Sequence, residues 1–405
     1  MEKICVMGLG YVGLPTASIF ATQGFAVLGV DIRPEIVAVI QRGEIHIAEP
    51  GLDVLVKSAV LSENLTAATA PAAADVFILA VPTPLTADRK PDLSFVEAAT
   101  DAIVPLVQPG NLVILESTVP VGTTEKVVAA RLQKSGLKVG KELFVAHCPE
   151  RVLPGHVLKE LVENDRVIGG INVESAERAR ALYRKVVNGE IYLTDCPTAE
   201  MAKLVENAFR DVNIAFANEL SLVCDKLGVN VWELIKLANR HPRVNILQPG
   251  PGVGGHCVAL DPWLLIASAP EGTHLIQTAR AVNQHKTRWV VERVRMLTNR
   301  LKEPIVACLG LAYKNDIDDL RESPAVEIVS TLANEQVGRM LVVEPYITVL
   351  PPALAPIPEL ALTDLSTALR EADIVVLLTH HRAFAGVDRE RLKEKFVVDT
   401  RGIWE

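Results

Sequence analysis

The stretch "KICVMGLGYVGLPTASIFATQGFAVLGVD", residues 3–31, decides the fold. An apolar run leads into Gly8-Leu9-Gly10-Tyr11-Val12-Gly13, a segment of helical periodicity follows, and a second apolar run ends on Asp31. The pattern predicts strand, glycine turn, helix and strand, a βαβ unit with a dinucleotide fingerprint. Gly8 permits the tight turn, Gly10 lets backbone amides approach a pyrophosphate, and Gly13 lets helix and strand pack closely. The phosphates would be received at the helix N-terminus. Asp31 closes the second strand 18 residues after Gly13. There it can accept hydrogen bonds from a ribose 2′-hydroxyl and repel a 2′-phosphate, which predicts NAD rather than NADP. Arg33 argues mildly for the 2′-phosphate and is read as stacking near the adenine rim. Thr83 in "VPTP" and Thr118 in "EST" end successive strands on the same edge, where their hydroxyls either touch the nicotinamide ribose or cap turns.

Further along, "DVFILAVP", "LVILEST", "LFVAHCPE" and "RVIGG" are apolar runs separated by helical segments, as in a mainly parallel sheet covered on both faces. From Thr198, Met201, Leu204, Val205, Ala208, Val212, Ala215 and Phe216 recur at spacings of three and four. This predicts one amphipathic helix of about 28 residues and about 42 Å, stopped at Gly228. After a helical middle section, "EPIVACLG", "RMLVVEP", "ADIVVLLTH" and "KFVVDTRG" again alternate with helices. The first turn of this second half, "GLAYKND", lacks the full glycine fingerprint, yet a nucleotide can bind at the carboxyl ends of such strands. The expected architecture is α/β, with two Rossmann-like doubly wound domains joined by a long central helix and a helical middle domain. Residues 1–197 are expected to form the NAD-binding domain, 198–300 the central helical domain, and 301–405 a second α/β domain able to take a nucleotide.

Composition narrows the function. The chain has 405 residues, 49% hydrophobic and 22% charged. No apolar run reaches the roughly 18 residues a membrane span needs, and the start carries no secretory pattern, so a cytoplasmic protein is expected. A net charge of -8 without a basic run argues against nucleic acid. Six scattered cysteines without a CxxC pair fit free thiols in a reducing compartment. His147-Cys148 and His256-Cys257 are adjacent pairs, which rarely chelate one ion, so no metal is expected.

The reacting groups are sought around "PGPGVGGHCVALDPW", residues 249–263. Cys5, Cys224 and Cys308 sit inside apolar runs and read as core filler. Gly254 and Gly255 precede Cys257 and remove side chains from its approach, as though a ligand must come close; packing alone would not require them. Asp261 lies four residues on, one turn if a helix begins there, and can hold or deprotonate a water. Lys203, Asn207 and Arg210 form an i, i+4, i+7 polar stripe on the long helix. Lys203 and Asn207 can bind an oxyanion, and Arg210 a phosphate or a sugar hydroxyl, although a solvated face is the plain alternative. These parts specify a chemistry: a primary alcohol is oxidised with NAD, Cys257 traps the aldehyde, a second oxidation gives a thioester, and water releases a carboxylate. Asp261 and Glu150 in "HCPERVLPG" would order that water. Cys148 is a rival nucleophile, made weaker by Pro149 and the absence of flanking glycines.

At these residues the chain resembles the nucleotide-sugar 6-dehydrogenases, the UDP-glucose/UDP-N-acetylmannosamine dehydrogenase family. "GLGYVGLPTA", "VPTP", "ILESTVPVGTTEK", "CPERVLPG", "GGHCVALDPW" and "LAYKNDIDDLRESPA" occur in the family's order over essentially the whole chain. "RGEIHIAEP", "ENDRVIGG", "ENAFRDVNIAFANELSL" and "LANRHPRVNILQPGPGVGGHC" look like the branch acting on UDP-N-acetyl-D-mannosamine. The resemblance implies that Cys257 is the nucleophile and Lys203 the proton donor or acceptor, with Asn207 and Asp261 assisting. It implies UDP-sugar contacts from Arg151, Val152, Lys203, Asn207, Arg210, Gly254, Tyr313 and Lys314, and NAD contacts from Tyr11, Val12, Asp31, Thr83, Thr118 and Arg321. It also implies that His241 and Arg243 belong to a substrate-binding segment, the arginine crossing from a neighbouring subunit of a homodimer. Leu260 stands where the UDP-glucose pattern has a lysine before the aspartate, which casts doubt on glucose. The product expected is a uronate for surface polysaccharide. UDP-glucose or UDP-N-acetylglucosamine oxidation, and a silent nucleotide-sugar sensor, are the alternatives.

Overall fold

A computed structural model describes residues 2–153 and 155–404. The chain divides into two compact units, Met1–Glu206 with Trp263–Pro270, and Asn207–Pro262 with Glu271–Glu405. The helical middle section is shared between them.

The first unit is built on eight strands: β1 (Lys3–Met7), β2 (Ala26–Val30), β3 (Leu65–Ala68), β4 (Val76–Leu79), β5 (Leu112–Leu115), β6 (Phe144–His147), β7 (Arg166–Gly170) and β8 (Ile191–Asp195). Their order is β3-β2-β1-β4-β5-β6-β7-β8. The chain reverses its winding direction between β1 and β4, which is where open α/β sheets bind nucleotides. Pairing is parallel from β3 through β6, and β7 then runs antiparallel to β6. The strands read as unbroken apolar runs because both faces are covered. Ile4, Val6, Ile78 and Ile114 pack on one face with Leu14, Ala17 and Phe20 of the first helix, Gly13–Thr22. Their neighbours Cys5, Met7, Phe77, Leu79 and Val113 pack on the other with Val96, Ile103 and Leu132.

The long helix runs Cys196–Leu227, 32 residues, which is about 48 Å at 1.5 Å per residue. It begins two residues before the expected Thr198, and Gly228 ends it in the left-handed conformation, φ +66°. In the second unit β9 (Ile305–Leu309), β10 (Arg339–Val343), β11 (Ile374–Leu377) and β12 (Phe396–Asp399) form a parallel sheet in the order β10-β9-β11-β12. Val306, Cys308, Val342 and Val376 pack with Val290 and Val294 of helix His274–Thr298 and with Ile328 and Leu332 of helix Pro324–Asn334. Ala307, Leu309, Leu341 and Val375 face Leu369, Phe384 and Trp404.

The two units repeat one wiring scheme. The Gly8 amide donates to Val30 O at 2.7 Å, and the Gly310 amide to Val343 O at 2.8 Å. The next amide meets the acid that closes the second strand: Leu9 N to Asp31 Oδ2 at 3.3 Å, and Leu311 N to Glu344 Oε2 at 2.7 Å. The second half therefore carries the same first turn without the later glycines. Its acid is consumed internally, since Glu344 also takes the Ala312 amide and lies 3.0 Å from His381 Nε2.

Candidate active site

The three glycines of the first turn differ in what surrounds them. A Cβ on Gly8 would lie 2.6 Å from Ala80 O, and one on Gly13 would overlap the Gly8 carbonyl; a Cβ on Gly10 would meet nothing within 4 Å. Packing thus explains Gly8, whose φ is +92°, and Gly13, but not Gly10. Open space beside a helix N-terminus is what a pyrophosphate needs, so the turn fits a dinucleotide. Asp31 is buried, and its Oδ1 accepts from Arg33 N at 3.0 Å and Arg33 Nε at 3.2 Å. The Arg33 guanidinium is thereby turned toward the carboxylate. Thr83 Oγ1 donates to Thr118 O at 2.6 Å, tying the two strand ends together. Tyr11 is exposed and Val12 partly buried at the start of the helix.

Further round the first unit, Glu150 follows β6 and points inward. Its Oε2 lies 3.3 Å from Arg166 Nη1 and its Oε1 accepts from Arg151 N at 2.5 Å. Arg151 grips Glu206 through Nη2 at 2.7 Å and Nε at 3.2 Å. Val152 packs with Ile19, Val157 and Leu161. Lys203 is buried on the long helix.

In the second unit Cys257 is the exposed cysteine; Cys5, Cys148, Cys196, Cys224 and Cys308 are buried. Burial pushes Cys5 up to about 11, Cys148 to about 12 and Cys308 to about 12, and raises Cys196 as well. Those thiols are protonated at neutral pH and poor nucleophiles. Cys148 is silenced by desolvation, a stronger reason than its proline neighbour. The Cys257 carbonyl accepts from Leu260 N at 3.1 Å and Asp261 N at 2.9 Å, and Asp261 opens helix Asp261–Ser268. The expected turn of helix between Cys257 and Asp261 is present. Asn207 Nδ2 donates to Asp261 Oδ2 at 2.5 Å, both residues being buried. This charge-assisted bond fixes the carboxylate.

The glycines before Cys257 require a correction. A Cβ on Gly254 would lie 2.6 Å from Glu322 O and 2.7 Å from Tyr313 Cβ, and one on Gly255, at φ +85°, 2.7 Å from the Tyr313 ring. Packing does demand these glycines, because the loop lies flat against Tyr313. The Gly255 amide donates to Arg321 O at 3.0 Å, which fastens the loop again. The Arg321 side chain pairs with Asp319 at 2.6 Å. Lys314, His241 and Arg243 are exposed. Arg210 is exposed too, so the polar stripe divides into buried Lys203 and Asn207 and a solvated Arg210.

Sequence reading missed the polar network beneath this loop. Arg280 Nη1 meets Asp211 Oδ1 at 2.7 Å, Asn283 Nδ2 donates to the same oxygen at 2.8 Å, and Asn218 Nδ2 donates to Asn283 Oδ1 at 2.9 Å. Asn218 Oδ1 then accepts the Gly250 amide at 2.9 Å, and Thr287 Oγ1 donates to Pro251 O at 2.9 Å. The signal was available: Leu204, Ala208, Asp211, Ala215 and Asn218 are all buried at spacings of three and four, so two polar residues occupy core positions of the helix.

With this geometry in place the comparisons are specific. Residues 2–187 match the NAD binding domain of the UDP-glucose/GDP-mannose dehydrogenase family, 197–285 its central domain and 307–405 its UDP binding domain. The chain belongs to that family, as an NAD-dependent nucleotide-sugar dehydrogenase. It is 56% identical to an NDP-N-acetyl-D-galactosaminuronic acid dehydrogenase of Ralstonia nicotianae, over 100% of this chain and 96% of the relative. It is 52% identical to a UDP-N-acetyl-D-mannosamine dehydrogenase of Yersinia pestis, over 100% and 99%. Among solved structures it superposes on a UDP-D-ManNAc dehydrogenase from Pyrococcus horikoshii with TM-score 0.88 and 41% identity, covering 100% of this chain and 96% of that one. Among the described residues no helix is long and apolar enough to cross a membrane.

Proposed function

We propose that the protein oxidises UDP-N-acetyl-D-mannosamine at C6 to UDP-N-acetyl-D-mannosaminuronate, a four-electron reaction in the cytoplasm that feeds surface polysaccharide assembly. The observation that carries the reading is Cys257, the exposed thiol, one turn before an aspartate already gripped by Asn207.

NAD, when bound, accepts the hydride in each of two oxidations, so two NADH form per sugar. Gly10 and the helix N-terminus would hold its pyrophosphate and Asp31 its ribose. Lys203 takes the proton of the C6 hydroxyl as the alcohol becomes an aldehyde. Cys257 Sγ adds to the carbonyl carbon, and Lys203 with Asn207 stabilises the oxyanion of the thiohemiacetal. Loss of the second hydride leaves a thioester on Cys257. A water ordered by Asp261 and Glu150 adds to the acyl carbon, the C–S bond breaks, and the uronate and the thiol are released. Arg151, Val152, Arg210, Gly254, Tyr313 and Lys314 would contact the UDP-sugar, and Tyr11, Val12, Thr83, Thr118 and Arg321 the dinucleotide.

A homodimer belongs to the same reading. Phe209, Phe216, Val223 and Leu227 are exposed on the long helix at spacings of seven, seven and four, an apolar stripe that favours a partner helix. His241 and Arg243 on their exposed segment would then reach the partner's sugar site.

A second reading is UDP-N-acetyl-D-galactosamine as substrate, favoured by the name of the 56% identical relative. A panel of UDP-N-acetylmannosamine, UDP-N-acetylgalactosamine, UDP-N-acetylglucosamine and UDP-glucose, followed by NADH release, ranks them by kcat/KM. The proposal expects the mannosamine sugar first with two NADH per sugar. Galactosamine in first place would install the second reading, and one NADH per sugar would remove the four-electron scheme.

A further inference from the structure

We propose that Glu116 and Arg166 are positioning residues for Glu150: a carboxylate–guanidinium–carboxylate cluster, closed off from solvent, ties the cofactor helix to the segment that presents Glu150, Arg151 and Val152. The inference rests on the reading that Glu150 serves the hydrolytic half of the reaction.

Three strand ends converge on the cluster. Glu116 directly follows β5, Glu150 lies just beyond β6, and Arg166 opens β7. Glu116 is 1% exposed, Arg166 6% and Glu150 7%. Tyr183 OH donates to Glu116 Oε1 at 2.7 Å from the end of helix Val173–Tyr183, and Thr16 Oγ1 donates to Oε2 at 3.3 Å from the helix that Gly13 begins. Arg166 approaches Glu150 Oε2 at 3.3 Å and Cys148 Sγ at 3.8 Å through Nη1, donates to Leu161 O at 3.2 Å through Nη2, and stacks 5.0 Å from the centre of the Tyr183 ring. The guanidinium thus pairs directly with Glu150 and meets Glu116 through the Tyr183 ring, whose hydroxyl donates to Glu116, all in one dry site.

Charge counting gives the cluster its behaviour. With both carboxylates ionised it carries one uncompensated negative charge, which burial makes costly. Burial holds the Glu116 pKa at about 7, with Arg166 drawing it down and Glu150 pushing it up. Cys148 and Tyr183, the other titratable groups facing Glu116, are both held protonated by burial. Near neutrality the protonation of Glu116 therefore decides whether Arg166 is shared or given wholly to Glu150. Losing that proton adds a second negative charge to the dry site, which the single Arg166 guanidinium must then balance while it holds Glu150. A buried ion pair is weak evidence for stability. A pair placed where Glu150 and Arg151 leave the sheet is better explained by what it aims.

The test uses the full-length protein with Glu116→Gln, which keeps the shape and one of the two accepting oxygens without titrating, and Arg166→Lys and Arg166→Met. Rapid-quench measurements separate aldehyde formation from acid release between about pH 6 and 8.5, and intact-mass analysis follows acyl-enzyme. A misaimed catalytic group costs about 10²-fold, so Arg166→Met should slow acid release by about that factor, with acyl-enzyme accumulating on Cys257 and Arg166→Lys restoring part of the rate. Wild-type acid release should rise through about pH 7, and Glu116→Gln should lose that step. If wild-type enzyme turns over but Glu116→Gln keeps its pH profile, or the Arg166 variants slow both halves equally without accumulating adduct, the positioning role falls alone. If wild-type enzyme makes no acid from any sugar in the panel, the hydrolytic reading of Glu150 falls and takes this inference with it.

Discussion

Lys286 gives a stability prediction that does not depend on the reaction. Its side chain is buried in the second unit, where Nζ donates to Ser221 Oγ at 2.6 Å and lies 4.0 Å from the centre of the Trp289 ring. Burial lowers its pKa from 10.5 to about 8, against a smaller upward pull from Asp225. The folded state therefore binds fewer protons than the unfolded state between those values, and stability rises with pH across that window. The change from 10.5 to about 8 corresponds to about 3 kcal/mol of cost, fully present below pH 8 and gone above 10.5. Replacing Lys286 with Met removes the cost and also forfeits the Ser221 bond and the ring contact, about 1–3 kcal/mol together. Near pH 7 the variant should therefore match or slightly exceed the wild type. Near pH 10.5, where the folded lysine is neutral and the ring contact has lost its charge, the variant should be less stable by about 0.5–1.5 kcal/mol, the worth of the Ser221 bond. Urea unfolding of both proteins at matched pH values measures the difference, in which every other titrating group cancels. A difference that stays constant from pH 7 to 10.5 would refute the account of a charge held in a desolvated site.

Three further outcomes are expected. Gly10→Ala should leave thermal stability unchanged, because a Cβ there meets no atom within 4 Å, yet weaken NAD binding by at least about tenfold, since the glycine is kept for phosphate approach; calorimetric titration reads the affinity. Gly255→Ala should destabilise the second unit by about 1–3 kcal/mol, because a Cβ there meets the Tyr313 ring at a backbone angle of φ +85°; a melting curve with no loss would show that the loop has room. Phe216→Glu should dissociate the proposed dimer, which sedimentation velocity would register as a halved mass; an unchanged oligomer would move the interface off this helix face.

Much of the fold was legible because the physical signals were local. The run from Lys3 to Asp31 contains strand, turn, helix and acid in one contiguous stretch, and the three-to-four spacing beyond Thr198 could only be a helix. The strands β3 and β8 escaped notice because "LTAA" and "IYLTD" are short and partly polar, and their pairing partners are set by the sheet rather than by their own residues. The turn between Cys257 and Asp261 was readable from spacing, whereas the reason for Gly254 and Gly255 was not. Tyr313 lies 58 residues beyond Gly255, and only the folded chain lays its ring on that loop. Glu150 was found as a polar residue near a motif, but its partner Arg166 looked like the ordinary start of a strand. Buried ion pairs made between distant strands leave no periodic trace.

The central claim is that the sulfur of Cys257 carries C6 of the sugar as an acyl group between two oxidations. Its most direct measurement is peptide-level mass spectrometry on enzyme quenched during turnover with UDP-N-acetylmannosamine and NAD, alongside Cys257→Ser. The account predicts a uronyl adduct on the peptide containing Cys257, kinetically competent in wild type, and acid release in the serine variant slowed by at least about 10³-fold, as expected when a covalent nucleophile is removed. Acid released at the wild-type rate by Cys257→Ser, with no adduct on that peptide at any time point, would contradict it.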